Sequence, residues 1–192
     1  ADRKHPVKCN RPIASGRVRV KIAAVTAVIR AAAGFAWPIQ ACQLQFISIL
    51  VCYVLLQIAY SFVLKHKALI DVIVIAIGFV LRAASGAVII KVAVSPWLFV
   101  CMFTLCVFMA LCKRNGEIAE LAEQENPSYE HRQSLVAYSP ELMTHLITLS
   151  AAMAIMSFLM YSMSSDTVQR IGTEYLVYTL PLMFYAIARF AM

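Results

Sequence analysis

Residues 68–90 read ALIDVIVIAIGFVLRAASGAVII. A helix rises about 1.5 Å per residue, and the hydrocarbon core of a bilayer is about 30 Å thick, so about 20 apolar residues cross it. This run is long enough, and within it only Asp71 and Arg82 carry charge. It is continuous rather than alternating, which selects a helix over a strand of a closed barrel. From 71 to 82 a helix makes close to three turns, so both charges fall on nearly the same face. Arg82 lies near the middle of the run, where an unpaired and unhydrated charge costs several kcal/mol or more. The shared face is therefore expected to line the interior of a bundle. A functional role or a polar cavity suits Arg82; snorkelling or a structural partner is the plainer alternative.

Five other segments have a similar character: Val18–Trp37, interrupted by Arg30, then Leu44–Leu64, Pro96–Cys112 (the shortest), Glu141–Met163 and Ile171–Ala191. The expected fold is an all-α, multi-span transmembrane bundle of about six spans, one integral-membrane domain over residues 1–192. Composition agrees. The chain is 61% hydrophobic with a mean hydropathy of +0.76, against about 45–50% apolar in soluble domains. Only 14% of its residues are charged. A water-soluble globule of this length has too little interior for so much apolar surface.

The net charge of +7 does not point to nucleic acid, because no basic stripe is interleaved with exposed aromatics. It is sided instead. Residues 1–21, the KHK linker and the long linker 113–140 share one side. They carry Arg3, Lys4, Lys8, Arg11, Arg17, Arg19, Lys21, Lys65, Lys67, Lys113, Arg114 and Arg132, whereas the opposite side has Lys91 and Arg170. The positive-inside rule makes the first side cytoplasmic. Within the long linker, GEIAELAEQE spaces apolar residues helically among acids and reads as a short amphipathic helix at the membrane surface. The six cysteines form no CxxC and read as small buried hydrophobes rather than disulfides or metal ligands. The chain opens without Met and already inside a dense polar stretch, so a fragment lacking its N-terminal part is expected.

The cytoplasmic ends bring together Asp2, Lys4, His5, Lys8 and Arg11, then Lys65, then Lys113, Arg114 and Glu117. A cavity rich in ammonium and guanidinium groups with a few carboxylates suits a phosphate or diphosphate held partly through a divalent metal. Topology alone accounts for the basic residues at 17, 19, 21 and 67. It does not account for RPIASG at 11–16. Arg-Pro disfavours helix at Arg11 and Gly16 permits unusual backbone, as in a shaped loop around a ligand. Arg30 is open between packing and function, and Arg189 snorkels. His66, His131 and His145 read as surface or interfacial groups, and the methionines as packing.

ADRKHPVKCNRPIASG resembles the loop after the second helix of UbiA-type intramembrane prenyltransferases. There an Asn-Asp-x-x-Asp-x-x-x-Asp motif is followed by Arg-Pro-(Ile/Leu)-x-x-Gly, and Asp2 aligns with its last aspartate. The segments AYSFVLKHKALIDVIVIAIGFVLRAASGA and SPWLFVCMFTLCVFMALCKRNGE are similar to the decaprenyl-phosphate phosphoribosyltransferase branch, which serves cell-envelope arabinose precursor synthesis. The resemblance implies helices missing at both ends. It makes residues 1–17 a cytoplasmic diphosphate-binding loop at the inner membrane of a bacterium.

The resemblance also implies a reaction. Magnesium bound at Asp2 would neutralise the diphosphate of phosphoribosyl diphosphate, and Lys8 and Arg11 would stabilise its developing charge. Tyr60, Lys65, Arg82, Lys113 and Arg114 would position the donor's 5-phosphate and the phosphate of a polyprenyl phosphate, with Glu117 orienting Lys113. The lipid phosphate then attacks the anomeric carbon. Ordinary members carry a second aspartate-rich motif where this chain has KRNGEIAELAEQEN, with no Asp-x-x-x-Asp. That departure favours phosphorylated substrates over a prenyl diphosphate. Prenyl transfer to an aromatic acceptor such as 4-hydroxybenzoate is the alternative, and a transporter is a more distant one.

Overall fold

The computed structural model describes residues 22, 23, 25, 26, 29, 30, 44–64, 67–122 and 138–191. Contacts divide the chain into two units, Ala1–Ser48 and Ile49–Met192. In the first, Ile22, Ala23, Val25, Thr26, Ile29 and Arg30 are helical, and the rest of the expected first span lies outside the described residues.

The remaining elements are α1 (Leu44–Phe62), α2 (Ile70–Ile89), α3 (Pro96–Ala122), α4 (Pro140–Met163), α5 (Ser165–Ile171), a 3-10 turn (Tyr175–Thr179) and α6 (Leu180–Ala191). No strand occurs among the described residues. The first four helices are long and apolar enough to cross a membrane, and they match the second to fifth expected spans.

Two expected boundaries change. The fourth span does not stop at Cys112, because α3 continues through Ala122 for 27 residues. Residues 113–122, KRNGEIAELA, consist mostly of good helix formers, and an ion pair between Arg114 and Glu117 one turn apart supports the extension. At about 40 Å, α3 overshoots the hydrocarbon core by two turns or so. The expected sixth span, Ile171–Ala191, is not one straight helix. Gly172 takes a left-handed conformation at φ 76° and ends α5. The segment after it leaves at 95° to α5. A 3-10 turn rises about 2.0 Å per residue, so Tyr175–Ala191 measures about 28 Å, near the thickness of the core.

The caps explain where the helices begin and end. Ser139 accepts the Leu142 N–H at 3.2 Å, and Pro140 opens α4. After α2, Lys91 adopts φ 54° while the amides of Lys91 and Val92 donate to Val88 and Ala87. This is a Schellman closure with lysine in the usual glycine position.

The interior lies where α3 packs against α4, with α2 and α6 on either flank. Val72, Leu111, Tyr138 and Met143 form one buried cluster; Phe108, Ala154 and Ile187 form a second. On α4, Met143, Ser150, Ala154 and Ser157 recur at helical spacing and are all buried. Small residues let helix backbones approach closely in lipid. At that seam the Thr104 and Ser157 hydroxyls bond across the helices at 2.9 Å. Outside, Leu55, Ile58 and Phe62 of α1 and Leu182 and Phe184 of α6 are exposed, as befits an apolar solvent.

Candidate functional site

Two polar places lie along α2. The first is a cleft of about 150 Å³ between α1 and α2. From α1 it takes Tyr53, Gln57 and Tyr60, which recur at i, i+4 and i+7 and so share one face. From α2 it takes Val74, Ile75, Gly78, Phe79 and Arg82. Arg82 Nη2 donates to the Tyr53 hydroxyl at 2.9 Å, and its guanidinium carbon lies 5.7 Å from the ring centroid. The hydroxyl is the closer contact. It holds one arm of the guanidinium, and a planar fork with five N–H donors has others to offer a phosphate. Gly78 sets the floor: a β-carbon there would come within 3.5 Å of Gln57 Nε2 and 3.8 Å of Tyr53 Cε2. The missing side chain keeps the space beside these polar groups open.

The second place is a buried ion network three turns back, toward the end that carries the KHK and 113–140 linkers. Asp71 is fully buried and Arg114 is 3% exposed. Arg114 Nε donates to Asp71 Oδ2 at 2.9 Å, and Nη1 donates to Glu117. Asp71 Oδ1 accepts the Val72 N–H at 2.9 Å. A lone charge in this setting is prohibitive, and the pairing is what allows burial. Tyr138 closes the network. Its oxygen accepts the Leu69 N–H at 2.6 Å, two residues before Asp71. Burial pushes the Tyr138 phenol above its ordinary range, and the Asp71 charge adds to the rise.

These places divide the sequence-derived candidates. Tyr60 and Arg82 share the cleft. Arg114 and Glu117 share the ion network, while Lys113 is exposed beside it. Arg82 stands about 16 Å along α2 from Asp71, so Arg82 and Lys113 do not meet. Tyr60 links the two places, because it lines the cleft and lies within electrostatic reach of Arg114. Asp2, Lys8, Arg11 and Lys65 lie outside the described residues. Arg114 bonds two carboxylates, those of Asp71 and of Glu117 one turn further on.

Among the described residues no group of three or more His, Cys, Asp or Glu side chains could hold a metal. Asp71 and Glu117 share one guanidinium, and Asp2, the expected magnesium ligand, lies outside the described residues. The thiols of Cys52, Cys101, Cys106 and Cys112 are unbridged. Sequence reasoning passed over Tyr53, Gln57 and Tyr138. The first two had a readable signal, since with Tyr60 they mark one polar face on an otherwise aliphatic span. Tyr138 had none, because its partners are distant in sequence.

Comparison with known proteins now bears on this arrangement. The chain is 33% identical over 168 residues to a decaprenyl-phosphate phosphoribosyltransferase of Mycolicibacterium smegmatis, covering 86% of this chain and 51% of the relative. It is 31% identical over 194 residues to the protein of that name from Mycobacterium tuberculosis, covering 100% and 61%. It is 32% identical over 162 residues to that of Corynebacterium glutamicum, covering 84% and 48%. The chain thus spans about half to three-fifths of the length of these relatives. The model of the UbiA prenyltransferase family matches residues 1–192. A helical membrane bundle with this match over its whole length belongs to the UbiA prenyltransferase family.

Proposed function

We propose that the protein of which this chain is part transfers 5-phosphoribose from phosphoribosyl diphosphate to a polyprenyl phosphate, releasing diphosphate. The observation that carries the proposal is the similarity along the chain to relatives named for that transfer. The chemistry of the cleft supports it. A guanidinium fixed by a tyrosine hydroxyl, beside a second tyrosine and a glutamine, suits a phosphate better than an aromatic acid with a single carboxylate.

In this reading Arg82 grips a phosphate oxygen and Tyr53 holds the guanidinium in place. Tyr60 adds a hydroxyl on the same wall. The Arg114 network fixes the helix ends around the reacting groups. The acceptor oxygen is already ionised, so it attacks without a general base. Lys8, Arg11 and Lys65 remain candidates for the diphosphate and for the other phosphate. Magnesium belongs to the proposal through Asp2 alone, where it would offset the charge of the leaving group. The reacting end faces the cytoplasm of a bacterium, on the side of the basic linkers.

The test incubates membranes containing the full protein with labelled phosphoribosyl diphosphate and polyprenyl phosphate. Labelled lipid is expected. Absence of labelled lipid, with prenylation of 4-hydroxybenzoate by the same membranes, would replace this reading with aromatic prenyl transfer.

A further inference from the structure

Tyr138 lies just before α4 and outside the spans, and the proposed reaction does not use it. It is buried in the cluster of Val72, Leu111 and Met143. Its hydroxyl reaches 69 positions back along the chain to the connection between α1 and α2. That connection is strained. Leu69 has φ 63° and ψ −43°, and the Ile70 N–H donates to the Ala68 carbonyl at 2.7 Å. This is the rare form of γ-turn, with a side chain in a region that glycine tolerates better. Such backbone persists only where its surroundings over-determine it. The amide at the strained residue is the one that the Tyr138 oxygen accepts, at 2.6 Å. Directly after the turn comes Asp71, whose carboxylate pairs with Arg114. The Lys67 carbonyl accepts the Asp71 N–H at 3.2 Å, which ties the basic linker to the same point.

We propose that Tyr138 is a positioning residue for the phosphoribosyl transfer: its single hydroxyl pins the basic α1–α2 connection, and through that turn the Asp71–Arg114 pair, into one arrangement. The inference rests on the proposed reaction for its consequence, but the pinning itself does not. Accepting from Leu69 keeps the turn strained, and the turn sets where Asp71 stands against Arg114. Three separate parts of the chain then move as one body: the α1–α2 connection, the end of α3 and the start of α4. A phosphate-gripping surface made of residues on different helix ends needs such a fastening, because small displacements cost large factors in rate.

The experiment compares the full protein with Tyr138→Phe and Met143→Ala. Phenylalanine keeps the ring in its cluster and removes only the hydroxyl. Met143→Ala opens a cavity in the same cluster and leaves the hydroxyl alone. Turnover per folded molecule is measured at saturating phosphoribosyl diphosphate and polyprenyl phosphate, together with hydrogen exchange at the Leu69 amide. Tyr138→Phe should lower kcat about tenfold or more and speed exchange at Leu69 by at least as much. Met143→Ala should be less stable yet keep kcat per folded molecule within about twofold of the parent. Parental kcat in Tyr138→Phe would overturn the positioning role, whatever the exchange. Equal loss of kcat in Met143→Ala would also overturn it, since packing alone would then suffice. If the parent made no labelled lipid, the proposed reaction would fail, and unchanged exchange at Leu69 in Tyr138→Phe would still refute the pinning.

Discussion

Replacing Asp71 with asparagine keeps size and shape and removes one charge. Asp71 is fully buried, and its partner Arg114 is 3% exposed. The bond that changes is the 2.9 Å contact between Asp71 Oδ2 and Arg114 Nε. Without the carboxylate, Arg114 keeps Glu117, whose side chain is 33% exposed and therefore partly screened by solvent. Breaking a buried pair by removing one partner costs about 3–5 kcal/mol, most of it the penalty of the stranded charge. In a chain of this length each kcal/mol moves the midpoint by about 2–4 °C, so a drop of about 6–20 °C is expected. The assay is thermal unfolding of the purified protein in detergent, followed by loss of monodisperse protein. The double variant Asp71→Leu with Arg114→Met removes both charges and should recover most of the loss, because an apolar replacement of a buried pair is often neutral. An Asp71→Asn midpoint within about 2 °C of the parent would refute the reasoning. So would a double variant as unstable as the summed single changes.

Arg82→Lys keeps the charge but loses the planar fork, so the KM for the phosphorylated substrate should rise about tenfold with little change in melting temperature, as steady-state kinetics would register. Thr104→Val removes the hydroxyl shared with Ser157 at 2.9 Å and should cost about 0.5–2 kcal/mol in the same unfolding assay. Stability should also depend on alkaline pH through Tyr138. Its folded-state pKa lies above the ordinary value of 10.0, so the unfolded chain loses this proton first as pH rises. The stabilisation is complete below about pH 10 and fades as pH climbs through the raised value. Unfolding midpoints from pH 8 to 11 should fall less steeply in Tyr138→Phe.

The spans were legible because a bilayer imposes one requirement on every residue within it, and runs such as 68–90 meet it without reference to the rest of the chain. The expected inward face of α2 holds only in part: Asp71 is fully buried, whereas Arg82, three turns on, is exposed beside α1. What each charge touches was not legible. Asp71 meets a guanidinium 43 positions away, and the Tyr138 hydroxyl meets an amide 69 positions away, and no local pattern encodes such pairings. The apolar run stops at Cys112 and GEIAELAEQE reads as a separate short helix, but a change to polar residues does not break a helix made of good formers, so KRNGEIAELA continues α3 to Ala122. The break at Gly172 was missed for a related reason: hydropathy recovers after Tyr175, but only the left-handed glycine tells that the axis turns.

In the proposed reaction the cleft between α1 and α2 holds a phosphate on Arg82. A structure of the full protein with phosphoribosyl diphosphate and polyprenyl phosphate bound tests it most directly. Phosphate oxygens are expected within about 3 Å of the Arg82 guanidinium, with Tyr53 still bonded to it. Every phosphate bound elsewhere, with an acyl or prenyl chain filling the space over Gly78, would contradict it.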